Sequence, residues 1–317
     1  MIGIDVGGAN LKVVDEDVHI HYCPLWQEAP ITEILMSYAG EEAAVVMSGE
    51  LADSFENKQA GISFIVDAVK SALPDARFYG TDGAFHTGPV PELAAANWLA
   101  SADYLRSLYP ESVLVDMGST TVDIIPLNRF ESLKGMTDLD RLKKGYLVYT
   151  GLLRTTLPAL LRTVIIDGTE TLISSEYFAI SADVHFVLGH ISESGYATPT
   201  PDGAAVTRDA SLRRLSRVVC ADLSEIGETQ ALMIAEQFRD EQKKSIGVQV
   251  RRAMEKTGAK SVVTAGIGSH LLAGESGWTD LNTGQPGRWS DALPAYAVKE
   301  VALREKQAEN LRLQSGE

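Results

Sequence analysis

In the first third of the chain, short runs of apolar residues alternate with stretches in which apolar residues recur at helical spacing. Apolar residues clustered over four to eight positions predict strands, and apolar residues that recur every three or four positions predict helices. The predicted elements, in chain order, are strands at residues 2–6, 11–14 and 18–23, a helix at 31–38, a strand at 43–47, a helix at 59–72, a strand at 77–79 and a helix at 91–108. This succession predicts an α/β protein with a mixed sheet.

The pattern changes after residue 128, where the chain is expected to leave the sheet until about residue 151. A helix is predicted around Asp183 and His185, a loop at 195–204, and helices at 210–223 and about 229–256. The last of these keeps apolar residues at helical spacing, which indicates core packing. From residue 299 the sequence predicts a charged helix that runs into a polar tail.

Two stretches about a hundred residues apart repeat one pattern. Residues 1–15 read M-I-G-I-D-V-G-G-A-N-L-K-V-V-D, and residues 113–127 read V-L-V-D-M-G-S-T-T-V-D-I-I-P-L. In each, an apolar run contains an aspartate near its end, Asp5 or Asp116. A turn of small residues follows, and a second apolar run comes after the turn. Each stretch therefore predicts a strand-turn-strand hairpin, and the repeat predicts a duplicated domain with a ligand between its halves.

The residues of both turns suit phosphate. Gly7, Gly8 and Gly118 are expected to adopt positive φ and to let backbone N–H groups approach an anion. Neutral hydrogen bonds could come from Asn10, Ser119, Thr120 and Thr121. The two aspartates would repel phosphate, so a bridging Mg²⁺ is the expected partner of Asp5 and Asp116. Either turn alone is equally compatible with an ordinary glycine-containing β-turn.

A third stretch, residues 261–273, reads S-V-V-T-A-G-I-G-S-H-L-L-A. It predicts a buried strand followed by Gly266, Gly268 and a helix. The N-terminus of such a helix could contact an adenosine or another side of the phosphate group. A generic strand-to-helix turn is the alternative. The predicted division is a first domain at 1–110 and a second at 111–317, with an insertion at about 128–205.

Composition and charge exclude several classes of function. The chain has 28 Lys and Arg against 43 Asp and Glu, a formal charge of −15, so a nucleic acid would meet net repulsion. Its two cysteines, Cys23 and Cys220, lack the spacing of a zinc or iron–sulfur site. There is no run of eighteen apolar residues and no charged leader, so we expect a cytoplasmic protein without a membrane span. The oligomeric state stays open.

The three motifs, in this order, resemble the phosphate-1, phosphate-2 and adenosine segments of the actin, sugar-kinase and Hsp70 superfamily. Within it the chain is most similar to the hydantoinase and oxoprolinase branch, whose second motif reads D-M-G-G-T-S/T-x-D where this chain reads D-M-G-S-T-T-V-D. Ser119 replaces the second glycine. The resemblance implies duplicated actin-like domains of ribonuclease H type, with a ligand cleft between them.

A narrower resemblance covers most of the chain. It rests on V-G-G-A-N-L-K at 6–12, A-A-A-N-W-L-A at 94–100, and longer matching segments at 137–155, 176–189 and 293–298. These resemble a small archaeal family of tetrahydromethanopterin-linked C1 transfer that includes a methanofuran-biosynthesis synthase. The resemblance implies a transferase that joins an aminomethylfuran methyl diphosphate to the phenol of γ-glutamyltyramine and releases diphosphate.

The resemblance and the residue chemistry together suggest a hypothesis for the mechanism. Diphosphate would lie between the hairpins, near Lys12 and Mg²⁺, with Arg154 as a further candidate contact. The candidates for the base that takes the phenolic proton are Asp123, Asp183 and His185. The alternatives are an ATP-dependent small-molecule kinase or ring hydrolase, with ATP or ADP in the same cleft, and a nucleotide-gated switch protein.

Overall fold

The computed structural model describes residues 1–27, 29–283 and 289–315. Its strands are β1 (Ile2–Val6), β2 (Asn10–Val14), β3 (Val18–Tyr22), β4 (Ala43–Met47), β5 (Arg77–Tyr79), β6 (Phe85–His86), β7 (Ser112–Met117), β8 (Val122–Pro126), β9 (Leu147–Val148), β10 (Thr163–Ile166), β11 (Thr169–Leu172), β12 (Ser261–Ala265) and β13 (Thr279–Asp280). The predicted strands of the first third are confirmed, and β1, β4 and β5 have the predicted bounds.

The helices are α1 (Ile31–Leu35), α2 (Lys58–Ala72), α3 (Asn97–Leu105), α4 (Phe130–Leu133), α5 (Asp138–Lys144), α6 (Ser181–Val187), α7 (Arg208–Arg217), α8 (Leu223–Thr257), α9 (Ser269–Ser276) and α10 (Leu293–Ser315). Short 3-10 helices lie at Met36–Tyr38, Pro91–Leu93, Leu127–Arg129, Leu157–Ala159 and Trp289–Ala292. No helix of the described ranges is long and apolar enough to cross a membrane.

Two sheets repeat one topology. The first has the order β3-β2-β1-β4-β5-β6 and the second the order β13-β12-β7-β8-β9. In the first, β1 pairs antiparallel with β2 and parallel with β4. In the second, β7 pairs antiparallel with β8 and parallel with β12. The outer strands also correspond, because β3 and β9 extend the hairpins antiparallel while β5 and β13 extend the parallel side.

Helices α3 and α10 pack between the two sheets. One core cluster joins Ala44 and Val46 of β4 to Leu114 of β7, together with Leu99 of α3 and Val298 of α10. All five side chains are almost completely buried, so the hydrophobic effect holds both sheets against this helical layer.

The C-terminal helix returns to the first sheet, although the sequence assigned all of 111–317 to the second domain. Helix α10 packs on β1 and β4. Its backbone at Ala295 approaches β1 so closely that a side-chain carbon at Gly3 would overlap the Ala295 carbonyl oxygen. Only glycine fits there, which explains the small residue in the middle of the first strand. Helix α10 thus contributes to the packing of the first sheet although it follows the second sheet in the chain.

Four predicted elements differ from the structure for local reasons. The helix predicted at 91–108 is split, because Ala95 has φ 48° between the 3-10 turn and α3. Helix α7 ends before residue 223, and Cys220, with φ 57°, lies in the connection to α8. Strand β9 joins the second sheet inside the stretch that was expected to leave it. Helix α8 is also interrupted at Gly227, which has φ 74° and ψ 165°.

Candidate active site

A cleft of about 1430 Å³ lies between the two hairpins. Both turns line it, as do residues that follow β4 and β12 and residues of the segment after β9. The predicted site residues that line it are Asp5, Gly7, Gly8, Asn10, Lys12, Asp116, Gly118, Ser119, Thr120, Thr121, Asp123, Arg154 and Gly266. The structure therefore brings most of the predicted residues together at one surface.

The two hairpins have the same internal geometry. In the first turn the Gly7 N–H donates to the Asn10 carbonyl at 3.0 Å, and in the second the Gly118 N–H donates to the Thr121 carbonyl at 3.0 Å. A single hydrogen bond thus closes each turn at corresponding positions. The aspartates also correspond, since Asp5 lies one residue before the last position of β1 and Asp116 lies at the same place in β7.

The segment after β9 supports the second turn from behind. The backbone N–H of Leu152 donates to the Gly118 carbonyl at 2.9 Å, and those of Leu153 and Arg154 donate to the Ser119 carbonyl at 3.0 Å. A side chain at Gly151 would lie 2.5 Å from the Thr120 nitrogen, so glycine is required for this close approach. The carbonyls of Gly118, Ser119 and Thr121 therefore accept backbone hydrogen bonds within the protein, which hold the turn in place without a ligand.

Burial and repulsion from neighbouring carboxyls raise the pKa of the two central aspartates. Burial raises the pKa of Asp5 to about 6, and Lys12 opposes that rise. Burial also raises the pKa of Asp116 to about 7, with Asp123 adding to the rise and Lys12 again opposing it. One carboxylate oxygen of Asp5, Oδ1, is buried without a hydrogen-bond partner.

These features fit a divalent cation between the turns. A cation would neutralise Asp5 and Asp116 and would satisfy the unpartnered oxygen of Asp5. No group of three or more His, Cys, Asp or Glu side chains in the described ranges is arranged to hold a metal. Water and ligand oxygens would therefore have to complete the coordination, as is usual for Mg²⁺ bound with phosphates.

Asp123 is held by a buried guanidinium. Arg141 makes a charge-assisted hydrogen bond to Asp123 and a second one to Asp138 at 2.8 Å. The same guanidinium lies 4.4 Å from the ring centroid of Trp98. Burial raises the pKa of Asp123 while Arg141 opposes the rise. Asp123 faces the cleft, and its carboxylate is engaged in the ion pair with Arg141.

Asp183, expected as a candidate base, lies outside the cleft. It is completely buried, and one of its oxygens accepts hydrogen bonds from Tyr196 at 3.0 Å, Ser211 at 2.8 Å and Arg214 at 2.8 Å. Its other oxygen accepts from the Ile180 N–H at 3.1 Å and so caps α6. Every part of this carboxylate is engaged in structural contacts, so the geometry argues against a catalytic role.

His185 is also buried, and burial lowers its pKa to about 3. It lines a smaller cavity of about 220 Å³ beside the cleft rather than the cleft itself. The neighbouring His190, which the sequence did not single out, lines both cavities. It lies just beyond α6, and only the structure reveals that it faces the cleft.

The expectation that the hairpin glycines adopt positive φ is wrong. Among the described glycines with positive φ, Gly266 is the only one of the predicted set, with φ 84°. A side chain at Gly8 would meet nothing within 4 Å, so this glycine leaves space in the cleft. Gly268 does not line the cleft, because it packs against the side chain of Met117.

Arg154 lines the cleft and contacts the lobe opposite its own. It is exposed, and its guanidinium lies 4.9 Å from the ring centroid of Trp26, which belongs to the first lobe. Asn97, at the start of α3, also lines the cleft. The sequence missed Glu50, a cleft residue only 2% exposed whose Oε2 is buried without a partner. Its position directly after Ser48 and Gly49, which follow the buried strand β4, could have indicated it.

A duplicated sheet topology with two equivalent hairpins facing one cleft defines a two-lobed protein of the actin-like class, as the sequence predicted. The chain belongs to the hydantoinase/oxoprolinase family, whose sequence profile matches residues 41–285. The nucleotide-free structure of acetone carboxylase, an enzyme of ATP-dependent acetone carboxylation, superimposes with a TM-score of 0.53 at 11% identity. That match covers 94% of this chain and 69% of the carboxylase chain, and it concerns the fold alone.

Two curated relatives carry one name, (4-{4-[2-(gamma-L-glutamylamino)ethyl]phenoxymethyl}furan-2-yl)methanamine synthase. The protein from Methanocaldococcus jannaschii is 35% identical over 287 residues, which are 86% of this chain and 87% of the relative. The protein from Methanococcus vannielii is 41% identical over 160 residues, or 50% of this chain and 72% of the relative. The chain is thus a member of the family that these archaeal synthases represent.

Proposed function

We propose that the protein is a transferase of methanofuran biosynthesis that joins an aminomethylfuran methyl diphosphate to the phenol of γ-glutamyltyramine. The relatives' name describes a product with a phenoxymethyl group on a furan ring. Such an ether forms when a phenol oxygen displaces a leaving group from the furan methylene carbon. The observation that carries the proposal is the pair of aspartates, buried Asp5 and half-buried Asp116, between two equivalent turns.

The diphosphate would bind between the turns. Ser119, Thr120 and Asn10 offer neutral hydrogen-bond donors to its oxygens, and Lys12 supplies a positive charge beside both aspartates. Mg²⁺ held by Asp5 and Asp116 would neutralise the charge that develops on the departing diphosphate. The chain's own donors would act at the same oxygens, so departure of diphosphate would require no rearrangement of the turns.

The reaction balances without a covalent enzyme intermediate. The bond between the methylene carbon and the diphosphate oxygen breaks, and its electron pair leaves with the diphosphate. The phenol oxygen forms the new bond to carbon, and its proton passes to a base, since a free phenol has a pKa of about 10. The furan ring can delocalise positive charge at the methylene carbon, so departure can precede attack.

The test is a product assay. The purified protein is incubated with Mg²⁺, the furan diphosphate and γ-glutamyltyramine, and the ether and diphosphate are measured by mass spectrometry and a diphosphate assay. A parallel reaction contains ATP alone. We expect ether without ATP, and we expect Asp116→Asn to abolish it while Asp17→Asn, an exposed change, leaves it intact.

The opposite outcome favours an ATP-dependent kinase or hydrolase. In that case the diphosphate would remain untouched while ATP is bound or hydrolysed in the same cleft. Gly266 and Ile267 line the cleft at the position of the adenosine-type motif, so nucleotide would have a surface to bind. The two outcomes are distinguished by a single pair of reactions.

A further inference from the structure

A second cavity adjoins the cleft and is lined by basic groups. It measures about 220 Å³, and its lining includes Arg239, Lys243 and the imidazoles of His185, His190 and His270. Among the residues whose side chains the structure describes, which exclude 274–276, no Asp or Glu lines it, although the whole chain carries a charge of −15. His190 and His270 also line the main cleft, so the two spaces meet at these residues.

The orientation of Gln242 determines the hydrogen bonding in this cavity. Its Nε2 donates to the Gly151 carbonyl at 2.9 Å and to Thr150 Oγ1 at 2.8 Å. A carbonyl can only accept, so the amide nitrogen must face Gly151. The amide oxygen therefore faces His185, whose Nε2 lies 3.0 Å away.

The tautomers of both histidines follow from that orientation. Since the Gln242 oxygen can only accept, His185 must carry its proton on Nε2. Neutral His185 then presents a lone pair at Nδ1, which lies 3.1 Å from His190 Nδ1. His190 must donate from Nδ1, and its own lone pair is consequently at Nε2. Gln242, His185 and His190 thus form a directed chain that ends at the cleft.

We infer that His190 is the general base of the proposed condensation, and that its Nε2 takes the phenolic proton as the phenol oxygen attacks carbon. His185 and Gln242 act as positioning residues that hold His190 in the required tautomer. In this step the O–H bond of the phenol breaks, the proton goes to Nε2, and the freed electron pair forms the ether bond. This inference rests on the proposed function.

The surroundings keep His190 unprotonated until it acts. Burial lowers its pKa, and the positive charges of Arg239 and Lys243 on α8, with His270 on α9, lower it further. His185, from α6, stays neutral because its own pKa is about 3, so it remains an acceptor. Once protonated, His190 would donate a stronger, charge-assisted bond to His185.

The same chain is anchored to the phosphate turn. Gly151, which accepts from Gln242, packs directly against Ser119 and Thr120 of the second hairpin. The base and the proposed diphosphate site are therefore attached to opposite sides of one short segment. That attachment fixes the distance between proton acceptor and leaving group, as precise positioning of reacting groups requires.

The experiment uses His190→Asn in the full-length protein with Mg²⁺ and both substrates. The asparagine nitrogen can keep the bond to His185 Nδ1, but the variant lacks a basic Nε2. We expect kcat to fall roughly 10²- to 10⁴-fold while KM changes little. The loss should shrink with ring-fluorinated acceptors, whose phenols have a lower pKa. His86→Asn, a histidine outside both cavities that pairs with Asp82, is the matched control and should behave as wild type.

Wild-type kcat in His190→Asn, or an equal loss for every acceptor, would overturn the inference. Nitrogen-15 spectra of the histidines give a readout independent of activity, and we expect the Nδ1–H tautomer for His190 and the Nε2–H tautomer for His185. An Nε2–H tautomer at His190 would also overturn it. If wild-type protein forms no ether at all, the proposed function fails instead, and the tautomers alone decide whether His190 offers a base to the cleft.

Discussion

Lys12 and Asp123 occupy equivalent positions in the two hairpins. Lys12 pairs in register with Asp5 across β1 and β2, and Asp123 pairs in register with Asp116 across β7 and β8. The duplicated scaffold thus places a cation beside one aspartate and a second carboxyl beside the other. After burial, the largest influence on the pKa of Asp5 is the lowering by Lys12, and the largest on the pKa of Asp116 is the raising by Asp123, so the cleft is electrostatically asymmetric.

Removing the cation at position 12 should move the pH dependence of activity. Lys12 lowers the pKa of both Asp5 and Asp116, so Lys12→Met should raise both values. The acid limb of kcat/KM should shift to higher pH, and KM for the diphosphate should rise about tenfold or more. Lys244→Met, on the exposed side of α8, is the control. An unchanged acid limb would exclude electrostatic coupling between Lys12 and the aspartates.

The metal-free protein should lose stability as the pH rises. The folded-state pKa values of about 6 and about 7 lie above the ordinary value of 3.8, so the folded state binds more protons than the unfolded state between about pH 4 and pH 7. The contribution of these two groups to stability is therefore fully present below this window and is lost as Asp5 and Asp116 ionise, while buried His185, with its lowered pKa, contributes in the opposite direction below about pH 6.5. The difference between wild type and Asp116→Asn isolates the carboxyl contribution. Thermal unfolding in EDTA at pH 5 and pH 8 measures the effect.

Mg²⁺ should reverse that loss. At pH 8 both carboxyls are ionised, so added Mg²⁺ should raise the melting temperature more than it does at pH 5. Asp116→Asn should raise the melting temperature of the metal-free protein at pH 8 and should weaken the response to Mg²⁺. Equal Mg²⁺ effects at both pH values would argue against a cation at these two residues.

The buried ion pair around Asp183 should govern stability rather than catalysis. Arg214 and Asp183 are both completely buried and lie 2.7 Å apart. Arg214→Met leaves a buried carboxylate unpaired, so we expect a loss of about 3–5 kcal/mol in unfolding free energy. The neighbouring Arg213 is exposed and pairs with exposed Asp209, so Arg213→Met should change stability by less than about 1 kcal/mol. Denaturant unfolding compares them, and retained kcat in folded Arg214→Met would exclude a catalytic role for Asp183.

Two glycines of the cleft should differ sharply in tolerance to alanine. At Gly266, φ is 84° and a side chain would overlap the Asp116 carboxylate and lie 2.5 Å from the Met117 carbonyl. Gly266→Ala should cost roughly 2–4 kcal/mol in unfolding free energy. Gly8→Ala meets open space without positive φ and should cost less than about 0.5 kcal/mol. Similar losses in both variants would contradict this account.

Local patterns predicted those parts of the fold and cleft that depend on neighbours in sequence. The strand that ends near Asp5, the strand that ends near Asp116 and the small residues that follow each are visible as short periodic runs. Their repetition was sufficient to predict a duplicated cleft protein. Strand direction determines the edge of its sheet at which each turn lies. Equivalent strands in repeated sheets end at equivalent edges, so the two turns occupy equivalent positions.

Contacts between distant residues could not be predicted in the same way. The sequence offers Asp183 as one of three candidate bases, and only the structure shows that Arg214, which lies 31 residues later, pairs with its carboxylate. His185 is hydrogen-bonded to Gln242, which lies 57 residues later in the chain. That contact fixes the tautomer of His185 and, through it, which nitrogen of His190 carries the lone pair. A single sequence contains no local signal for either pairing, since both depend on how helices α6, α7 and α8 pack.

The return of α10 to the first sheet has a mechanical consequence. The chain passes from the first sheet to the second between α3 and β7, and it passes back between β13 and α10. Because α10 follows the second sheet in the chain and packs on β1 and β4 of the first, a rotation of one lobe against the other would have to move this helix against one of the sheets. Opening of the cleft between the two hairpin turns would therefore be coupled to the packing of α10.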